Sequence, residues 1–441
     1  MKILLVNIVD QRDSTAIPHL GVAYLASYLR ANGGYNDIKI INSPIDDALR
    51  EFRPDVVGFS TVSQNYDLAK NEAKKAKKAG AVTVIGGVHI TLLPHTLDEN
   101  IDFAVIGEGE QTFLELIKFI DGKIKDKQKI MGLAFWKGKK IVINKSRPLI
   151  ANIDTIPMPA RDLLEKTNMP TMFTSRGCPY KCIFCSSSHF WNTVRFHSAE
   201  YVLNEIRTLI DGGAKHISFT DDLFIVNKKR LEEIVEGIKK EGINKKVAFT
   251  MWCRANLITE ETARLMKEMN TELVSLGLES GSDEVLRYAK GANASVADNE
   301  RAVNLLKDNG INVQATFVIG FPIDTRETIM QTLSFIKRSR LDSFEVYMLA
   351  PMPATPIWQY AKARGLVSEE PAFRWSSIAH RAEYDFNEKI VLTEKLTKQE
   401  LFELYKKFIW LRKTRKFSHM ARNAIRHPYR VPGFIKKKIF S

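Results

Sequence analysis

Short apolar runs alternate with stretches in which apolar residues recur every three or four positions, and the chain does this twice. The first series predicts strands over 2–7, 37–42, 55–60, 82–87 and 103–107, with helices near 20–32, 65–79 and 111–121. That order predicts a parallel α/β sheet of the doubly wound, Rossmann-like kind. A Gly/Lys-rich hairpin over 132–144 closes this unit, and Pro148, Pro157, Pro159 and Pro170 mark a linker. The second series predicts strands over 171–176, 215–220, 246–253, 272–279, 312–320 and 343–350, each followed by a helical stretch. Six such units suit a partial (β/α)6 barrel with its chemistry at the carboxyl ends of the strands. The expected fold class is therefore α/β: a Rossmann-like domain over 1–146, a linker over 147–170, a partial barrel over 171–365 and a helical basic extension over 366–441.

Length supports this division, since 441 residues are many for one hydrophobic core. Charge changes the picture more. The formal net charge is +14, yet residues 404–441 hold twelve Lys or Arg and no Asp or Glu, which leaves +2 for the rest. A near-neutral body with a basic tail is not a nucleic-acid-binding protein by composition, and no recognised binding module accompanies the tail. Cations mix with aromatics in Arg412-Lys-Thr-Arg-Lys-Phe417 and in 433–441, a pattern that suits an anionic membrane surface as well as a solvated tail. Before it, Leu401, Leu404, Tyr405, Phe408 and Leu411 fall at helical spacing, as a helix docked on the body requires. Without a run of eighteen apolar residues or a signal-peptide pattern, the expected location is cytoplasmic, at most peripheral to a membrane.

Chemistry concentrates in three of the four cysteines. Cys178, Cys182 and Cys185 lie within Arg176-Gly-Cys-Pro-Tyr-Lys-Cys-Ile-Phe-Cys185, directly after the first barrel strand. A tight trio of thiolates selects zinc or an iron–sulfur cluster. Structural zinc wants a fourth protein ligand, for which His189 and His197 are near in sequence, whereas a catalytic cluster gains from an iron left open. Cys253 stands alone in an apolar strand and reads as a small core residue.

This stretch resembles the radical S-adenosylmethionine (SAM) enzymes, whose three cysteines have the same spacing and whose aromatic before the last cysteine corresponds to Phe184. The resemblance implies a [4Fe–4S] cluster on Cys178, Cys182 and Cys185, SAM chelated at the open iron, and cleavage to a 5′-deoxyadenosyl radical. It also implies an electron donor such as a flavodoxin or ferredoxin. In Phe219-Thr-Asp-Asp-Leu-Phe224, residues Thr220, Asp221 and Asp222 take the place of the motif that binds the SAM amino group. As a carboxylate pair, Asp221 and Asp222 also read as acid/base machinery. Glu279, ending the fourth strand, would reach the SAM ribose or methionine region; alternatively its neighbourhood is a helix start, with Ser282 as N-cap. Gly320 would let backbone approach the adenine.

The loops of the first unit carry Ser60, Thr61, Gly86, Gly87, His89, Gly107, Glu108 and Gly109 at strand carboxyl ends, and no Gly-x-Gly-x-x-Gly fingerprint follows the first strand. Together with Pro18-His-Leu-Gly-Val-Ala-Tyr-Leu25 they resemble the cobalamin-binding domain that precedes the barrel in one branch of that family. The Asp-x-His-x-x-Gly motif that gives cobalt a histidine elsewhere is absent, because Ile17 and Val22 flank His19 where Asp and Gly are needed. The branch thus implies cobalamin without a histidine ligand, the eight loop residues as its contacts, and methyl transfer to an unactivated carbon of a small-molecule or lipid-like substrate. Oxidative cyclisation, as in oxygen-independent porphyrin cyclases, shares these motifs. A binding protein with a vestigial barrel is the reading outside enzymes. The segment around Arg374-Trp-Ser-Ser-Ile-Ala-His380 is expected to cap the substrate cavity.

Overall fold

The computed structural model describes residues 1–10, 20–167, 169–191, 193–378 and 389–426, with side chains as far as Arg415. Ile17, Pro18, His19, His380 and the aromatic–cationic segment 433–441 lie outside the described residues, as do the side chains of 416–426. The first sheet contains β1 (Ile3–Asn7), β2 (Ile38–Asn42), β3 (Val56–Ser60), β4 (Val82–Gly86) and β5 (Phe103–Val105), followed by the hairpin β6 (Leu133–Lys137) and β7 (Lys140–Ile143). Its order is β2-β1-β3-β4-β5-β6-β7. The first five strands pair in parallel and the hairpin adds antiparallel to the edge of β5. All five residues of β1 are buried, the continuous apolar run expected of a strand covered on both faces. The chain leaves β1 for β2 on one side and returns to β3 on the other, so the crevice above β1 and β3 is where a ligand fits.

The second sheet is built from β8 (Thr171–Met172), β11 (His216–Phe219), β12 (Ala248–Cys253), β13 (Thr271–Glu279), β14 (Asn312–Ile319) and β15 (Ser343–Met348), all parallel and in sequence order. The expected strand over 171–176 is divided. Thr171–Met172 joins the sheet, while β9 (Ser175–Arg176) pairs antiparallel with β10 (Arg195–Phe196). The cause is a contact distant in sequence: the Thr174 N–H donates to the Asp221 carboxylate (2.6 Å) instead of to a neighbouring strand.

Helix Lys398–Arg426 buries Leu401, Leu404, Tyr405, Phe408 and Leu411 in the barrel core, as their spacing predicts. Trp410 points away and is 65% exposed. The segment expected to cap the cavity does something else. Trp375 is buried, stacks on Trp358 (centroids 5.7 Å apart) and meets the His89 ring edge-on at 4.4 Å, so it fastens the extension to the first sheet's layer. One apolar core accordingly runs from Val57 and Phe59 through Ala69 to Trp358, Trp375 and Leu392. Among the described residues, no helix is long and apolar enough to cross a membrane.

Candidate active site

The carboxyl ends of the two sheets face each other across a cavity of about 340 Å³. Gly58, Ser60, Gly86, Gly87, Gly107, Glu108 and Gly109 line one side; Phe173, Ser175, Arg176, Phe190, Trp191 and Asp222 line the other. Most of the wall is apolar or bare glycine backbone, which suits a large, flat, mostly apolar ligand. Six of the eight expected loop contacts, Ser60, Gly86, Gly87, Gly107, Glu108 and Gly109, reach this cavity. Thr61 and His89 do not. Thr61 is buried, and its N–H donates to the Gly86 carbonyl (3.2 Å). His89 lies beneath the loop, fully buried, hydrogen-bonded to Ser63 Oγ (3.0 Å) and Thr96 Oγ1 (3.1 Å) and stacked on Tyr66 at 3.9 Å. Burial pushes its pKa down to about 3, so it is a neutral core histidine. Gly87 has φ of 102°, and a Cβ there would stand 2.5 Å from the Thr61 carbonyl oxygen. Close backbone packing therefore requires this glycine.

Two buried glutamates tie the halves together. Arg176, at the start of the cysteine loop, donates to Glu108 and Glu110 at 2.6 Å each, and Arg195 donates to the other Glu108 oxygen at 2.8 Å. Burial alone would raise the Glu108 pKa, but Arg195 and Arg176 hold it below the usual carboxylate value. Sequence reading placed Glu108 at the cofactor and passed over its partners, though a Glu-x-Glu turn and an arginine beside the cysteine motif are complementary in charge.

Cys178, Cys182 and Cys185 are half-buried free thiols on one loop. Among the described residues, no three His, Cys, Asp or Glu side chains close around a single ion. His197 is engaged elsewhere, its Nδ1 on Asp154 (2.9 Å) and its ring stacked on Tyr201 (3.8 Å). A four-iron cluster takes each thiolate on a different iron, so three separate thiols on one half-open loop fit it. Burial raises the Cys178 thiol and pushes Cys185 up to about 11, so loading a cluster must displace protons. Phe184 packs edge-on against the buried Phe321 ring (5.8 Å), which anchors the loop.

The Thr-Asp-Asp segment divides its labour. Asp221 is buried and accepts from Thr174 N (2.6 Å), Thr174 Oγ1 (2.5 Å) and Ser175 Oγ (2.6 Å), so its carboxylate is committed to shaping the cysteine strand. Thr220 Oγ1 donates to the Met172 carbonyl (3.2 Å). Asp222 opens into the cavity and accepts from Ser187 Oγ (2.6 Å) and from the Gly177 backbone N–H. The groups crowded around it raise its pKa by desolvation.

Glu279 ends β13 with φ of 62°, just after a register shift in the β13–β14 ladder. A left-handed non-glycine residue at the carboxyl end of a barrel strand is strained backbone of the kind held at ligand sites. Its side chain faces Lys290 Nζ at 3.7 Å. Burial raises the Glu279 pKa and lowers that of Lys290. Ser282 does take the N-cap position of helix Asp283–Lys290, but its hydroxyl makes no capping bond. Gly320 has φ of 94°; its N–H and that of Phe321 donate to Asp324 (2.8 and 2.9 Å). Asp324 escaped the sequence reading, as did Arg254, whose guanidinium lies 3.2 Å from Cys182 Sγ.

Residues 10–117 match the B12 binding domain model and residues 172–336 match the radical SAM superfamily model. A Pyrococcus horikoshii protein named an uncharacterised methyltransferase is 37% identical over 395 residues, covering 83% of this chain and 84% of that one. The chain belongs to the cobalamin-dependent radical SAM family. An anaerobic magnesium-protoporphyrin IX monomethyl ester cyclase from Cereibacter sphaeroides is 27% identical over 449 residues, 95% of this chain and 70% of that one. In fold, the chain is similar to the radical SAM methyltransferase TsrM of Kitasatospora setae, with a TM-score of 0.71 at 17% identity, covering 82% of this chain and 76% of that one. As a member of this family the protein is a radical SAM enzyme whose cofactors are a [4Fe–4S] cluster, SAM and cobalamin.

Proposed function

We propose that this enzyme transfers a methyl group from cobalamin to an unactivated carbon of a small, largely apolar substrate. The observation that carries the proposal is the shared cavity: the glycine-lined rim of the first sheet and the barrel residues that flank the cysteine loop, Arg176 before it and Phe190 and Trp191 after it, line one space together with Asp222. When bound, the cofactors supply the chemistry, the cluster and SAM providing the hydrogen-abstracting radical and cobalamin the methyl group. The chain's own residues supply placement. Cys178, Cys182 and Cys185 hold the cluster, and Asp222, Glu279 and the backbone at Gly320 orient SAM. Gly86, Gly87, Gly107 and Gly109 let the corrin approach the rim, where Ser60 offers a hydroxyl. Phe190 and Trp191 exclude water from the side facing the barrel.

Anaerobic reconstitution with iron, sulfide, cobalamin, reductant and methyl-deuterated SAM tests this by mass spectrometry. Deuterium in the extracted cobalamin together with 5′-deoxyadenosine is the expected outcome. Deoxyadenosine with no label in cobalamin favours oxidative cyclisation, the second reading, which the similarity to a porphyrin-ester cyclase over most of the chain supports. A flavodoxin or ferredoxin would donate the electron. An oxygen-sensitive cluster suits the reducing cytoplasm. The cationic end of the chain would hold the enzyme against an anionic membrane, where lipid-like substrates partition.

A further inference from the structure

Arg254 follows β12 directly and is 7% exposed. Its guanidinium is fixed on every side: Nε donates to Asn256 Oδ1 (3.0 Å), Nη2 to the Lys290 carbonyl (3.3 Å) and Nη1 to Cys182 Sγ (3.2 Å). Its Cζ lies 3.9 Å from the centre of the Tyr180 ring, and Asn256 Nδ2 in turn donates to the Tyr180 hydroxyl (3.1 Å). Tyr180 belongs to the cysteine loop itself, so the arrangement closes on the loop it serves. Among the described residues, no carboxylate lies within ion-pair distance of Arg254. Its hydrogen-bonding N–H at the cysteine loop is aimed at the Cys182 sulfur, while its charge also acts at longer range on Glu279.

We infer that Arg254 is a positioning and tuning residue for the cluster, donating a charge-assisted hydrogen bond to the Cys182 thiolate and so raising the reduction potential of the iron that Cys182 holds. The inference rests on the reading that Cys178, Cys182 and Cys185 carry the [4Fe–4S] cluster. A cationic donor at a ligand sulfur withdraws electron density from the iron and stabilises the reduced state, which carries one more negative charge. The stacked Tyr180 ring and the Asn256 anchor keep the guanidinium from turning away, so the bond exists before the electron arrives. Cys178 and Cys185 have no cationic donor among the described hydrogen bonds. The hydrogen bond thus singles out Cys182, although the Arg254 charge also reaches Cys178.

The test is an EPR-monitored redox titration of the reconstituted full-length protein without SAM, comparing wild type with R254M, R254K and N256A, with iron and sulfide content measured in parallel. In R254M the reduced-to-oxidised ratio at fixed potential is expected to fall about tenfold, a shift of about 59 mV to more negative values for a one-electron couple. R254K should fall between, because a lysine keeps the charge but not the three-way fork. N256A should shift less in the same direction, and it decides the question if R254M does not retain a cluster. Equal midpoints in wild type and in every variant that carries a full cluster overturn the inference, including the case in which SAM binds more weakly to R254M, which would make Arg254 a SAM ligand instead. A wild-type protein that takes up no iron and sulfide defeats the cluster reading itself, and the two failures are told apart by that measurement.

Discussion

The two rims that face each other across the cavity are built on opposite principles. On the first sheet the rim is glycine backbone and apolar side chains, and its two carboxylates at the cavity are committed, Glu108 to Arg176 and Arg195 and Glu110 to Arg176. The barrel puts Asp222 at the cavity and, at the ends of its other strands, packs further charge: Cys182 beside Arg254 and Glu279 beside Lys290. One side can hold a large, preformed ring by shape. The other must stabilise charges that appear and disappear as an electron enters, and backbone strain at Glu279 shows where precision is held. The comparison teaches that each rim can be damaged without the other, and Cys182→Ala is the largest such break. Loss of the thiolate should abolish iron–sulfur uptake and 5′-deoxyadenosine formation while leaving cobalamin binding and far-UV circular dichroism unchanged. Loss of cobalamin binding in that variant would mean that the rims are not separable.

The joint between the rims should fail next. Arg176 neutralises two buried glutamates, Glu108 and Glu110. Removing one partner of a buried ion pair typically costs about 3–5 kcal/mol, because the remaining charge stays buried. Arg176→Met should cost that much in urea unfolding. It should also weaken cobalamin binding, since the glycine loop between Val105 and Glu110 loses its brace.

Acid should distinguish the two halves by a smaller amount. His89, in the first sheet's layer, has its pKa pushed down to about 3, and His197, in the barrel's, to about 4, in both cases chiefly by burial. Because each binds its proton less readily folded than unfolded, the stability it contributes is full above about pH 6.5 and is lost as pH falls towards those values. Each group costs about 1.4 kcal/mol per pH unit within that window. Between pH 6.5 and 5, wild type should therefore lose about 2 kcal/mol more than His89→Gln, measured by urea unfolding. A parallel decline in the two proteins would show that His89 is not the titrating group.

What the sequence revealed follows the same division. Period and motif order placed all five parallel strands of the first sheet, the six strands of the second and the docking stripe of the last helix, because burial on two faces or one stripe leaves a direct mark on residue type. The division of the first barrel strand left no such mark, since it depends on Asp221 taking the Thr174 N–H from 47 positions away. Single residues misled where a motif's letters serve packing. His89 reads as a ligand and is core, and Trp375 reads as a cap and is a clamp between layers. Arg176 and Arg254 were passed over because their partners are distant in sequence, and only folding brings cation to carboxylate or thiol.

The smallest effect is expected at Trp410, and it sharpens the contrast between a helix face that folds the protein and one that is free. Leu404 and Phe408 are buried in the barrel core, so Leu404→Ala should cost about 2–5 kcal/mol and any truncation must begin beyond them. Trp410 is 65% exposed on the same helix, so Trp410→Ser should change stability by no more than about 0.5 kcal/mol. Its effect should appear in flotation with phosphatidylserine-containing liposomes instead. An exposed tryptophan at the head of a cationic segment gives a membrane surface an amphipathic anchor, and lysine and arginine near it add about 1 kcal/mol each at an anionic surface. Trp410→Ser and deletion of 427–441 should each reduce flotation at low salt and leave the urea midpoint where it was. Flotation equal to wild type in both would remove the membrane from the account and leave the basic end as a solvated tail.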